Sequence, residues 1–108
     1  MPEQRDSEHF RDVPDQGTIR TRMRRRGAVV VAFTVQFKVW TDGAWRPAVR
    51  YDAAHGHAHR DILDWDGRVI DKLWLSARLS LNEALTTGER DLIANAATYR
   101  EDFLRRKP

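Results

Sequence analysis

Ala28-Val29-Val30-Val31-Ala32-Phe33-Thr34-Val35-Gln36-Phe37-Lys38-Val39-Trp40 is the stretch that decides the fold. Val29, Val31, Phe33, Val35, Phe37 and Val39 alternate with Val30, Ala32, Thr34, Gln36, Lys38 and Trp40. That is the period-two pattern of a β-strand, built from β-branched and aromatic residues. The odd-numbered set is expected to face the core. Residues Val29 to Ala32 are apolar on both sides, which places this strand centrally. Asp42-Gly43 follows as a hairpin turn. Trp45 to Asp52 returns, with Trp45, Val49 and Tyr51 on one side and Arg46, Ala48 and Arg50 on the other. Pro47 has no N–H for a ladder, so the strand is at an edge or irregular there.

Downstream, Ala53 to Gly56 reads as a loop or bulge and Ala58 to Asp64 as a third strand. Asp64-Trp65-Asp66-Gly67 is a second turn signal, and Arg68 to Leu75 a fourth strand. Short connections pair neighbouring strands in chain order, giving a four-stranded antiparallel meander. After Ser76 the period changes. Ser80-Leu81-Asn82-Glu83 has the form of a capping box, which predicts a short helix over Leu81 to Thr86. Thr86-Thr87-Gly88-Glu89 is a second start signal. Leu92, Ala96, Tyr99 and Phe103, one turn apart, then predict an amphipathic helix of roughly 17 residues. The fold class expected is α+β: the four-stranded meander with a short and a long C-terminal helix packed on one face.

Upstream, residues 1–26 carry Pro2, Pro14, Gly17, many charges and few apolar side chains. They read as a disordered basic arm before a single α+β domain over residues 27–108. The arm ends in Arg20, Arg22, Arg24, Arg25 and Arg26, an electrostatic handle for RNA or an acidic partner, or simply a solvated leader.

The whole chain has 108 residues, room for one domain. Its formal net charge of +3 is too small for a protein that coats DNA. It has no cysteine, which excludes disulfides, thiolate zinc ligands and cysteine nucleophiles. No signal peptide, membrane span or cofactor motif is visible, so a cytoplasmic protein without membrane attachment or cofactor is expected.

The chemistry-bearing stretch is Arg50-Tyr51-Asp52-Ala53-Ala54-His55-Gly56-His57-Ala58-His59-Arg60-Asp61. In an extended chain His57, His59 and Asp61 share a side. Three readings compete. Three imidazoles could hold a metal, although the partial likeness to a His-x-His-x-Asp-His hydrolase signature stops at Ile62, and no metal is assigned. A His pair could cleave RNA without metal, one imidazole taking the ribose 2′-OH proton and another protonating the leaving oxygen. Arg50 or Arg60 would then stabilise the phosphorane, and Tyr51 would stack on a base or donate its hydroxyl. Finally, the His residues could pair with Asp52 and Asp61 in a purely structural network.

Arg50-Tyr51-Asp52, the His-rich loop, His59-Arg60 and the Ser80 to Leu85 segment together resemble the TumE-type toxins of bacterial toxin–antitoxin modules. The Arg-Tyr-Asp-x-x-His-Gly-x-x-His-x-Asp form is similar to that of a related group of small bacterial proteins. The resemblance covers roughly residues 30–104. It implies a growth-inhibiting protein acting on RNA or the ribosome and neutralised by a cognate antitoxin. Carried over by residue, the functional positions would be Arg50, Tyr51, Asp52, His57, His59 and Arg60. In the ribonuclease reading His59 would be general acid or base, with His57 or His55 as its complement, and Asp52 would orient an imidazole. Arg50, Tyr51 and Arg60 would hold the RNA; Arg24, Arg25 and Arg26 lie outside the resemblance and are RNA-contact candidates only as part of the basic arm. Ala53 departs from the toxins' Asn. The alternative expectation is a non-catalytic RNA- or protein-binding module, and a homodimer held by sheet edges or Trp side chains is a further one.

Overall fold

The structure is a computed structural model that describes residues 3–53 and 56–108. Six strands form one antiparallel sheet in chain order. They are β1 (Gln4–Val13), β2 (Gly17–Arg26), β3 (Val29–Thr41), β4 (Ala44–Asp52), β5 (His59–Leu63) and β6 (Val69–Trp74). Two helices follow, α1 (Leu81–Ala94) and α2 (Ala96–Arg105).

The four expected strands are β3 to β6, in the expected order. The strand count is corrected from four to six, because the segment expected to be an arm supplies β1 and β2. Ile19, Thr21 and Met23 of β2 pair in register with Phe37, Val35 and Phe33 of β3, and the first two are buried. Thr21 also donates its hydroxyl to Glu89 of α1 at 3.2 Å. On the other face Arg20, Arg22 and Arg24 stand beside Glu8 and Asp6 of β1. Opposite charges across a pair of strands support pairing that composition alone does not suggest.

β3 buries Phe33, Val35, Phe37 and Val39 as its alternation requires. Nearer its start the phase differs: Val30 is buried and Val29 exposed. The cause is a register shift between Arg24 and Arg25 of β2, which offsets the pairing by one residue. Asp42 and Gly43 both take positive φ, the type I′ geometry an Asp-Gly hairpin favours.

The helices cover the face carrying Phe37, Val49 and Tyr51, and Leu92 of α1 is buried in the same core. The capping box is present: Ser80 accepts from the Glu83 N–H at 3.1 Å, and Glu83 accepts from the Ser80 N–H at 3.0 Å. The division between helices falls at Asn95 and not near Thr87. Gly88, read as part of a start signal, lies inside α1. A Cβ there would stand 2.8 Å from Cγ of Tyr51, so glycine is what lets α1 lie close on β4. Trp65 closes the far end, stacked on Phe103 at 5.1 Å and donating its indole N–H to the Phe103 carbonyl at 2.8 Å.

Candidate functional site

The face opposite the helices carries two adjacent rows of cross-strand neighbours. One row runs Glu8, Arg22, Thr34, Asp52, His59, Trp74. The next runs Phe10, Arg20, Gln36, Arg50, Asp61, Lys72. Residues opposite one another in antiparallel strands share a face, so each row is a line of side chains across the whole sheet. Strand spacing makes Arg22 and Trp74 roughly 19 Å apart along that line.

Asp61 is the hub. Its side chain is 2% exposed although it lies on the uncovered face, because cations surround it. Arg50 donates to Oδ2 at 3.2 Å, and His59 Nε2 stands 3.3 Å from the same oxygen. Lys72 is 3.3 Å from Oδ1, an ion-pair contact without hydrogen-bond geometry. A carboxylate taken out of water is tolerable only when paired in this way.

Trp74 stands at the end of the first row, half exposed. The rings of His57 and His59 lie 4.8 Å and 5.0 Å from its ring, and Lys72 sits 5.2 Å from the ring centroid. His57 donates from Nε2 to the Leu75 carbonyl at 3.0 Å. His59 Nδ1 is 3.5 Å from the His57 carbonyl, a long contact. Both nitrogens of His59 therefore face protein acceptors.

The alternation of strands divides the sequence motif between the two faces. Arg50, Asp52, His59 and Asp61 are on the open face. Tyr51 and Arg60, paired with each other in register, are on the helix face. Tyr51 is buried and donates to Asp91 Oδ2 at 2.6 Å; Tyr99 donates to the same oxygen at 2.5 Å. Burial first, and these bonds second, push the Tyr99 hydroxyl up to about 12 and Tyr51 higher still. Arg60 reaches Tyr99 and Asp71, each at 3.4 Å. Neither Tyr51 nor Arg60 reaches the open face with Arg50, so the RNA-holding set expected from the sequence is not brought together as a whole. Arg24 is held by Asp6 at 2.8 Å, whereas Arg25 and Arg26 lie beyond the register shift, exposed. His55 lies outside the described residues.

Sequence reasoning gives no role to Lys72, Thr34 or Gln36, and it marks Trp74 only as one of four Trp side chains that could form an interaction patch or hold a dimer. The signal for Trp74 was its position: the last residue of an alternating strand beside the His-bearing one. Among the described residues, no group of three or more His, Asp and Glu side chains is placed to hold a metal ion. No helix among them is long and apolar enough to cross a membrane.

The sequence model of a domain family of unknown function, DUF7718, matches residues 1–108. The chain belongs to that family, and the match takes in the β1–β2 hairpin as well as the His-bearing strands. Neither the curated proteins nor the solved structures contain a match.

Proposed function

We propose that the open sheet face binds single-stranded RNA. The observation that carries this reading is Trp74: a half-exposed indole flanked by two imidazoles and a lysine, in line with Arg22 across the sheet. Stacking platforms beside a cationic surface are how proteins hold unpaired bases and their phosphates. Arg20, Arg22, Arg50 and Lys72 supply the cations, and a sheet face left open by both helices supplies the room. A cytoplasmic setting fits this reading. The test is anisotropy of a labelled oligoribonucleotide, single-stranded and as a duplex, at two salt concentrations. The single strand should bind more tightly and weaken as salt rises. Equal binding to the duplex would contradict stacking on Trp74.

A second reading is metal-independent ribonuclease chemistry, in the setting of a toxin–antitoxin module that the resemblance implies. It is favoured by one observation, the carboxylate of Asp61 placed 3.3 Å from His59 Nε2, which would orient that imidazole. Against it stands the long contact of Nδ1 with the His57 carbonyl, which leaves no nitrogen of His59 presented to a substrate. RNA cleavage abolished by His59→Ala in a folded protein, together with growth arrest relieved by the same change, would favour this reading over binding alone.

A further inference from the structure

We infer that the cavity between β2 and β4 on the open face is an oxyanion site that takes a phosphate group. The inference rests on the RNA-binding reading and deepens it, by naming where a phosphate is held.

The cavity has a volume of about 200 Å³ and is lined by Arg20, Arg22, Thr34, Gln36, Arg50 and Asp52. Three guanidinium groups thus converge from two strands across β3, whose Thr34 hydroxyl and Gln36 amide can add neutral donors. Nε of Arg20 and Nε of Arg50 are buried and have no hydrogen-bond partner among the described residues. A buried donor without a partner costs free energy, which an acceptor entering the cavity would recover. Phosphate suits the place because its oxygens match the planar fork of arginine.

The β1 side shows what such an acceptor looks like. Glu8 Oε2 accepts from Arg20 Nη2 at 2.9 Å and stands 3.3 Å from Arg22 Nε. One anionic oxygen therefore already bridges two of the three arginines from outside the cavity. The Glu8 carboxyl is held below its ordinary range, first by its bond to Arg20. A phosphate entering from the β3–β4 side would share these guanidinium groups, so Glu8 competes with it for Arg20 and Arg22, as Asp61 does for Arg50. Asp52, within the lining, lowers the positive charge there.

The experiment is calorimetric titration of the full chain with inorganic phosphate and with pyrophosphate. Arg22→Gln, Arg20→Gln, Glu8→Gln and Trp74→Ala are compared, with circular dichroism to show that each folds. Wild type should bind saturably, and either arginine change should weaken binding by about tenfold or more, the worth of a charged hydrogen bond. Glu8→Gln should tighten it, a gain that no unfolded variant could mimic. Trp74→Ala should leave phosphate binding unchanged while weakening RNA binding, which separates failure of this site from failure of the stacking platform. A second arm compares oligoribonucleotides with a 5′-phosphate and a 5′-hydroxyl. A preference for the phosphate assigns the site to a strand end, and equal binding assigns it to a backbone phosphodiester. Absence of saturable phosphate binding, or binding indifferent to Arg20, Arg22 and Glu8, would overturn the inference.

Discussion

Arg50 and Tyr51 are neighbours in sequence and serve opposite faces of the sheet: Tyr51 donates to Asp91 at 2.6 Å beneath the helices, and Arg50 donates to Asp61 at 3.2 Å on the open face. The Arg-Tyr-Asp motif is therefore one strand doing two jobs. Its central residue anchors α1 and α2, while its outer residues face the binding surface.

The shared carboxylate of Asp91 gives the fold an alkaline limit. Tyr51 and Tyr99 are neutral donors in the folded chain, with hydroxyls raised above the ordinary value of 10.0 by burial and then by Asp91. In the unfolded chain they ionise near that ordinary value, so between about pH 10 and pH 12 the unfolded state binds fewer protons and stability falls as pH rises. Below pH 10 this contribution is fully present. Denaturant unfolding followed across that range should show the decline, and Tyr99→Phe should make it shallower.

Gly88→Ala should destabilise the protein despite alanine's better helix propensity. The propensity gain is about 1 kcal/mol, and overpacking against Tyr51 costs roughly 1–3 kcal/mol. The net effect should be a lower Tm in calorimetry. A higher Tm would mean that α1 can retreat from β4 without loss.

The β1–β2 hairpin is part of the domain, so its removal should not be neutral. Deleting residues 1–26 would expose the edge of β3 and uncover Phe33, Val35 and Phe37. The shortened chain should aggregate or lose its cooperative unfolding transition, as read by size exclusion and circular dichroism. Ile19→Ala, a milder form of the same test, should cost about 2–5 kcal/mol.

Asp61→Asn should loosen the open face more than it loosens the fold. It removes the charge that Arg50, Lys72 and His59 share at Asp61. The loss should be roughly 1–3 kcal/mol in stability, with a change in Trp74 fluorescence because His59 packs on that ring.

Much of this architecture is legible in the residues. The alternation from Phe33 to Val39, the Asp-Gly turn and the Ser80–Glu83 box lead to β3, the β3–β4 hairpin and the start of α1. The hairpin of β1 and β2 is hidden because its stability lies in pairing. Ile19, Thr21 and Met23 alternate as a strand should, but the carboxylates that offset Arg20, Arg22 and Arg24 come from Asp6 and Glu8, far along the chain. Composition sees only an excess of charge. The site was half visible for a related reason. Arg50, His57 and His59 stand out as a motif, whereas Lys72, Trp74, Thr34 and Gln36 join them only through strand register.

The most direct test is the affinity of a single-stranded oligoribonucleotide for Trp74→Ala, measured beside Trp45→Ala. Trp45 is equally exposed but lies at the other end of β4 from Asp52, seven residues and about 23 Å away along the strand. A stacked base is worth about 1–3 kcal/mol, so Trp74→Ala should weaken binding by roughly fivefold to more than a hundredfold. Trp45→Ala should leave it unchanged. Equal effects of the two changes, or none from Trp74→Ala, would contradict the assignment of the open face as the RNA-binding surface.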